Sequence, residues 1–423
     1  MPRESGIQKV KMEFIADLHI HSKYSRATSR DMDIKHLAEW AKFKGITLMG
    51  TGDFTHHLWL EELKHSLEDC ANGLFKYAGV YFMLTSEVSS IYSKRGRTYR
   101  VHNLIFSPSF KTTDRINERL SKIGNLASDG RPILGLDAAE LARIVFDIDE
   151  NCILVPGHIW TPWFSVFGSM SGFDKIEDCF EEQTEKIFAL ETGLSSDPAM
   201  NWRVSALDRF TLISNSDAHS PAKIGREANV FNCELSYASI RDVLKTKDKE
   251  RFLYTLEFFP EEGKYHFDGH RLCGIRWSPE ETKQNKGRCP KCGKPVTVGV
   301  SNRVEKLADR AQGFKPQNAI NYKNLIPLQE IIAEARGVGN TSVVVERDYR
   351  ACLAKFGTEF DILLKASDAQ LLKGLPPRVA EGVIRVRQGK VNIQPGFDGE
   401  FGIISIFGDK DKPAAAEEQL SLF

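Results

Sequence analysis

Between Glu13 and about Leu235 the chain repeats one pattern: a short apolar run, a polar turn, then an amphipathic stretch. EFIAD is followed by DIKHLAEWAKFK and ITLMGTGD, and the later runs are YFMLTSE, RVHNLIF, CILVPGH, KIFALETG, RFTLISNSDAH and NVFNCEL. This rhythm predicts repeated strand–helix units, and so an α/β barrel or open sheet. Most runs carry a histidine or a carboxylate at or near the C-terminal end, where barrel enzymes build their sites from the following loops. The chain's 423 residues exceed one ordinary core, so further domains are expected beyond this pattern.

The texture changes near Phe258. From there to Lys315 Gly, Pro, Lys and Arg dominate and long apolar periodicity is missing, which reads as a small inserted module. From Asn321 to Phe407 the pattern is mostly helical, through IPLQEIIAEARGVG, ERDYRACLAKFG and SDAQLLKGLPPRVAEGVIRVRQG, before the extended FGIISIF. The expected organisation is therefore a catalytic domain over 1–257, a basic module over 258–318, a helical domain over 319–407 and a disordered tail over 408–423. Lys plus Arg and Asp plus Glu each number 57, so any argument from charge must be local. No run of eighteen apolar residues and no N-terminal apolar signal are present, which predicts a cytoplasmic protein. Its eight cysteines are then expected as thiols or metal ligands.

DLHIHS places His19 and His21 two residues apart after a strand, on the same side, where two imidazoles can chelate one ion. Alone such a pair is usually structural. It recurs here with Asp53 and His56 or His57 in TGDFTHH, Glu87 in TSEVSS, His102 in RVHNLIF, His158 in VPGHIW, and Asp217 and His219 in NSDAH. Mixed histidine and carboxylate sets suit zinc, manganese or iron. His36 and His65 fall inside helical stretches and take no role.

These motifs, in this order, resemble the polymerase and histidinol phosphatase (PHP) family of metal-dependent phosphoesterases over residues 13–235. The resemblance implies a distorted (β/α)7 barrel holding two or three divalent metals (Zn, Mn, Fe or Mg). It places His19, His21, Glu87 and Asp217 around one metal and Glu87, His102 and His158 around a second, with Glu87 as the bridge. It also places His219, Asp53 and His56 or His57 around a third, although Phe54 stands where the family usually has a histidine after the aspartate. Asp217, His158 and Glu87 would carry the catalysis through a metal-activated hydroxide.

Lys94, Arg95, Arg97 and Arg100 lie between Glu87 and His102 and suggest a track for a phosphate backbone. Residues 283–315 hold nine Lys or Arg, among them Lys291, Lys294 and Arg303, against Glu305 and Asp309. They surround the CPKC of Cys289 and Cys292. Upstream, Cys273 lacks a cysteine partner because Arg276 follows three residues later, so His270 or His266 would complete a structural zinc site. HRLC has the same spacing as CPKC and favours His270. GTGDFTHHLW, RVHNLIFSPS, VPGHIWTPWFSVFGSMSGFD, ALETGLSSDPAMNWR, GKYHFDGHRLCG, CPKCGKPVTVGV and IPLQEIIAEARGVG extend the resemblance to the endonuclease Q family across nearly the whole chain. That implies a DNA repair endonuclease cutting on the 5′ side of uracil, hypoxanthine, xanthine and abasic sites. Such chemistry requires the lesion to leave the stack. Trp160, Trp163, Phe164 and Phe167 can wall a pocket for it, and Glu191 and Asn201 can hydrogen-bond a base. Gln419, Leu420, Ser421, Leu422 and Phe423 match the QLSLF peptide by which bacterial proteins dock on the DNA sliding clamp. The competing readings are a phosphatase of a small phosphomonoester and a non-catalytic, clamp-recruited DNA-binding adaptor. A monomer is expected, and no membrane partner.

Overall fold

The computed structural model describes residues 11–408. Gln419, Leu420, Ser421, Leu422 and Phe423, assigned to clamp binding, lie outside the described residues. Seven strands form the catalytic unit: β1 (Met12–Asp17), β2 (Leu48–Gly50), β3 (Val80–Lys94), β4 (Arg97–Ser107), β5 (Ile153–Pro156), β6 (Ala189–Glu191) and β7 (Thr211–Ile213). β1, β2 and β3 run parallel, and β6 is parallel to β7. β4 is antiparallel to both β3 and β5, which distorts the barrel. Closure between β7 and β1 passes through a side chain: Leu18 N donates to Asn215 Oδ1 at 2.9 Å, and Ile20 bridges to Ala218.

Alternation along each strand explains the layering. Ala16, Leu48, Met83, Leu104, Val155, Ala189 and Ile213 fill one buried cluster inside the barrel, while their neighbours Ile15, Met49, Leu84, Ile105, Leu154, Leu190 and Leu212 join the cluster under the helices. β8 (Ala228–Cys233) pairs antiparallel with β1, and β9 (Phe252–Glu257) with β8. The strand Asn321–Asn324, assigned from sequence to the helical domain, is β10, parallel to β9 at the edge of the main sheet.

The helices Leu328–Arg336, Val343–Phe356 and Pro377–Arg387 share the outer core with the barrel. The first ends at Gly337, whose φ of 68° makes it a helix-terminating glycine. A buried ion pair pins this unit to the barrel. Lys44 Nζ lies 2.8 Å from Glu359 Oε2, which also accepts from Tyr349 Oη at 2.8 Å, while Glu359 Oε1 accepts from Leu328 N.

The module after Phe258 contains a hairpin, Asp268–His270 with Ile275–Trp277, and the helix Val300–Leu307. The late hairpin Asn392–Gln394 with Ile403–Ser405 is joined by a loop that packs back on it, through Phe267 N to Gly396 O at 2.9 Å and Arg271 N to Asp398 Oδ2 at 2.7 Å.

Candidate metal centre

All the barrel donors emerge at the C-terminal mouth. Glu87 sits mid-strand in β3 and is 1% exposed. Its Oε2 lies 3.3 Å from His21 Nε2 and 3.6 Å from His19 Nε2. Asp217 Oδ1 closes that group at 3.1 Å from His21 Nε2 and 3.7 Å from His19 Nε2. Glu87 Oε1 faces the other way, 2.8 Å from His102 Nδ1 and 3.1 Å from His158 Nε2. One carboxylate thus joins two groups of convergent donors, His19, His21 and Asp217 on one side and Glu87, His102 and His158 on the other.

The donors fit divalent cations. His19 Nε2, His21 Nε2 and Asp217 Oδ1 are buried without a hydrogen-bond partner, an unfavourable arrangement unless something else satisfies them. Bonds of about 2.0–2.2 Å to nitrogen and oxygen in tetrahedral array demand donor separations of about 3.3–3.6 Å, close to those seen. Electrostatics agree. Burial alone would raise the Glu87 carboxyl, but His102, Arg131 and His19 outweigh it and hold it well below the usual carboxylate range. Asp217 is half-buried, and against the cost of that burial His19 and His21 hold its carboxyl well below the usual range. Burial opposes the charged form of His19, and Glu191, Glu87 and Asp217 overcome it to draw a proton onto the ring, which a bound cation would displace. Burial pushes His102 down to about 4 despite Glu87.

The loops that present these groups are conformationally costly. Asp53, His158 and Asp217 take φ of 50°, 28° and 47°, in the left-handed region that side chains avoid.

Asp53 and the pair His56 and His57 stand apart from these two groups. Asp53 is a support rather than an open donor: its Oδ1 accepts from His21 Nδ1 at 3.0 Å, and its Oδ2 accepts from Ser22 N, Ser22 Oγ and Ser25 Oγ. His56 stacks on Tyr24 with centroids 4.4 Å apart, and His57 is exposed at the start of the helix His57–Ser66. Neither is gathered with the donors. His219 does approach, its ring 4.6 Å from that of His21. The third group is therefore not assembled among the described residues as the resemblance implied.

The structure also gives a role to Glu191. Fully buried, it accepts from His19 Nδ1 at 3.0 Å, Asn215 Nδ2 at 2.9 Å and His158 N at 2.9 Å, so it orients one histidine from each group. Asn201, the other base-contact candidate, is buried and accepts from Trp160 Nε1 at 2.8 Å. Trp160 and Phe167 are 1% and 2% exposed and belong to the core, not to a pocket wall. Trp163 and Phe164 are half-buried at the surface, Phe164 against His102.

Of the basic candidates, Arg95 and Arg97 are exposed at the tip of the β3–β4 hairpin, where Arg95 and Gly96 form the two-residue turn with φ of 51° and 76°. Lys94 is bound to Glu181 and Arg100 lies over the Phe164 ring. Lys294 is exposed and Lys291 Nζ donates to Cys273 O. Arg303 is buried and donates to Phe167 O, Phe173 O and Asp174, so it ties the module to the barrel and cannot touch DNA. In the module His270, Cys273, Cys289 and Cys292 bring one donor atom each within 4.8 Å of one another, a set suited to structural zinc, while Arg276 is exposed and reaches Pro395 O.

A family model, the MJ0043 C-terminal domain, matches residues 327–390. Protein MJ0043 of Methanocaldococcus jannaschii is 33% identical over 271 residues, covering 61% of this chain, which spans about a third (33%) of that relative's length. Protein YqxK of Bacillus subtilis is 28% identical over 410 residues, covering 92% of this chain and 98% of the relative. The crystal structure of the lesion-specific endonuclease PfuEndoQ from Pyrococcus furiosus aligns with a TM-score of 0.85 at 33% identity, over 96% of this chain and 98% of that one. Endonuclease Q in complex with a 27-mer duplex carrying an abasic lesion aligns with a TM-score of 0.83 at 32% identity, over 96% and 100%. The chain belongs to the endonuclease Q family. Membership makes it an enzyme of the metal-dependent nuclease type. Among the described residues no helix is long and apolar enough to cross a membrane.

Proposed function

We propose that the chain hydrolyses the DNA phosphodiester on the 5′ side of deaminated bases and abasic sites. The observation that carries this reading is Glu87 joining two buried donor groups at the mouth of the barrel, in a chain that aligns along 96% of its length with a lesion-specific endonuclease. His19, His21, Asp217 and Glu87 would hold one divalent cation and Glu87, His102 and His158 a second, and such cations would supply an activated water and neutralise charge on the phosphoryl group. The protein's part is to hold the donors in orientation, through Glu191 and Asp53.

The surroundings support a DNA substrate. β3 continues seven residues beyond Glu87 to Lys94, so the hairpin carries Arg95 and Arg97 about 23 Å outward from the metal centre, the reach of an arm along a duplex. Exposed Lys294 extends the positive surface onto the module. A largely apolar cavity of 330 Å³ lies between Trp163, Tyr265, His266 and Phe401. Thr161 lines it and bonds His158 Nδ1 at 3.1 Å, which sets the cavity beside the cluster, and its size suits an extruded base. His270, Cys273, Cys289 and Cys292 hold one zinc that keeps the basic loop folded. A sliding clamp recruits the chain through Gln419, Leu420, Leu422 and Phe423.

The test is cleavage of labelled duplexes carrying one uracil, hypoxanthine or abasic site, with manganese, zinc or magnesium added, comparing wild type with Asp217→Ala and His158→Ala. A cut 5′ to the lesion, absent from intact DNA and lost in both variants, is expected. Hydrolysis of small phosphomonoesters with damaged DNA untouched would overturn the proposal.

A further inference from the structure

Arg131 belongs to none of the strand-end motifs, yet its guanidinium reaches the centre of the donor cluster. Nη1 donates to Glu87 Oε2 at 3.1 Å, and the side chain is 28% exposed where Glu87 is closed to solvent. Among the described residues this is the side chain's one hydrogen bond, so the other N–H groups of the fork are left to bond a ligand.

The loop is built to put it there. The peptide at Gly130 lies so close to the supporting carboxylate that a Cβ would stand 2.3 Å from Asp53 Oδ2 and 2.4 Å from Ser25 Oγ. Gly130 N donates to Tyr24 O at 3.1 Å and its carbonyl accepts from Thr55 Oγ1 at 3.2 Å. On either side, Asp129 Oδ1 accepts from Arg131 N at 3.1 Å and Pro132 O accepts from Ser89 N at 3.0 Å. The backbone is fixed before and after the arginine, so its position is not an accident of a loose loop.

The oxygen that Arg131 touches is the one that also faces His19 and His21. With a cation on that oxygen, the guanidinium would stand beside positive charge, balanced in part by Asp217 and Asp129, and a further anion at the mouth would be attracted to it. A phosphodiester lying across the two donor groups is such an anion, and the planar fork of arginine matches its oxygens. We infer that Arg131 is a catalytic residue that grips a non-bridging oxygen of the scissile phosphate and stabilises the charge that grows on it. The inference rests on the hydrolase reading above.

The test compares Arg131→Ala and Arg131→Lys with wild type in the manganese-loaded chain. Arg131→Ala should keep wild-type metal content and melting temperature, yet lose about 100- to 1,000-fold in single-turnover cleavage of an abasic duplex. Guanidinium ion added to the solution should restore part of that rate, and Arg131→Lys should fall between. Calorimetric titration with orthophosphate should show affinity weakened about tenfold by Arg131→Ala. Cleavage within threefold of wild type, or a loss of rate that follows a loss of bound metal, would overturn the assignment. If wild type leaves lesion duplexes uncut, the repair reading fails on its own, and the orthophosphate titration decides for Arg131: weakened binding supports it and unchanged binding refutes it.

Discussion

Glu191→Gln isolates orientation from ligation, because Glu191 touches no donor position itself yet holds one histidine of each group. Its Oε1 accepts from Asn215 Nδ2 at 2.9 Å and its Oε2 from the His158 amide at 2.9 Å, with His19 Nδ1 within 3.0 and 3.1 Å of the two. Glutamine has the same shape but only one acceptor oxygen. Either way round, its NH2 meets a donor, the Asn215 amide or the His158 backbone N–H, and that buried donor goes unmatched. Such a loss costs about 1–3 kcal/mol. If it falls on the presentation of His19 and His158, metal affinity drops about 5- to 150-fold, and outer carboxylates of this kind are commonly worth about 10- to 100-fold. Calorimetric titration of the metal-free chain with manganese, for wild type and variant, reads that ratio, and thermal melts of the metal-free forms read the folding cost. Affinity within twofold of wild type would refute the orienting role, whatever the melting temperature does.

Trp160→Ala and Phe167→Ala should lower stability by about 3–5 kcal/mol because both side chains are core, whereas Trp163→Ala should leave the melting curve in place and weaken binding to lesion duplex in a mobility-shift assay. Lys44→Met strands the buried Glu359 carboxylate and should cost about 3–5 kcal/mol by denaturant unfolding, through the contact between barrel and helical unit. Cys292→Ser and His270→Ala should each remove one equivalent of tightly bound metal, measured by elemental analysis, and leave the barrel's metals in place. Glu227 and Glu257 are buried together, burial first and mutual repulsion next raising the Glu227 carboxyl well above its ordinary value. The folded chain then binds more protons than the unfolded one above the ordinary carboxylate range, so stability falls as pH rises through that window up to the raised folded value. Melting temperature should decline toward alkaline pH, and less steeply in Glu227→Gln.

Much of the barrel was legible because its information is local. Apolar runs of strand length, with ligating residues at their ends, specify both the sheet and the side of it that carries chemistry. YFMLTSE and RVHNLIF stand in sequence as two more apolar runs, and the turn at Arg95 and Gly96 makes them one antiparallel ribbon inside the barrel. Residues whose role is set by a partner far along the chain were not legible. Glu191 serves His19 across 172 positions, and Arg303 serves Phe167 across 136. Burial also separates residues that look alike in sequence. Trp160 and Trp163 stand three apart in one aromatic run, yet only Trp163 meets a cavity. Asp53 has the right residue type at a strand end, and its oxygens accept from two serines and a histidine, partners no spacing in the sequence reveals.

The price of this arrangement is written in the backbone. Three residues of the site hold left-handed φ values, and the donors that converge on Glu87 leave buried polar atoms without partners, both of which oppose folding. A fold tolerates that only where the surrounding structure overdetermines the geometry. Here it does: Asn215 closes the barrel from β7 to β1, and the same side chain donates to Glu191, which sets His19 and the His158 amide. The bond that closes the barrel and the bond that aims the metal donors thus share one asparagine. Accuracy at the mouth is therefore a property of the closed barrel, and a change that loosens the β7–β1 seam would loosen both donor groups together.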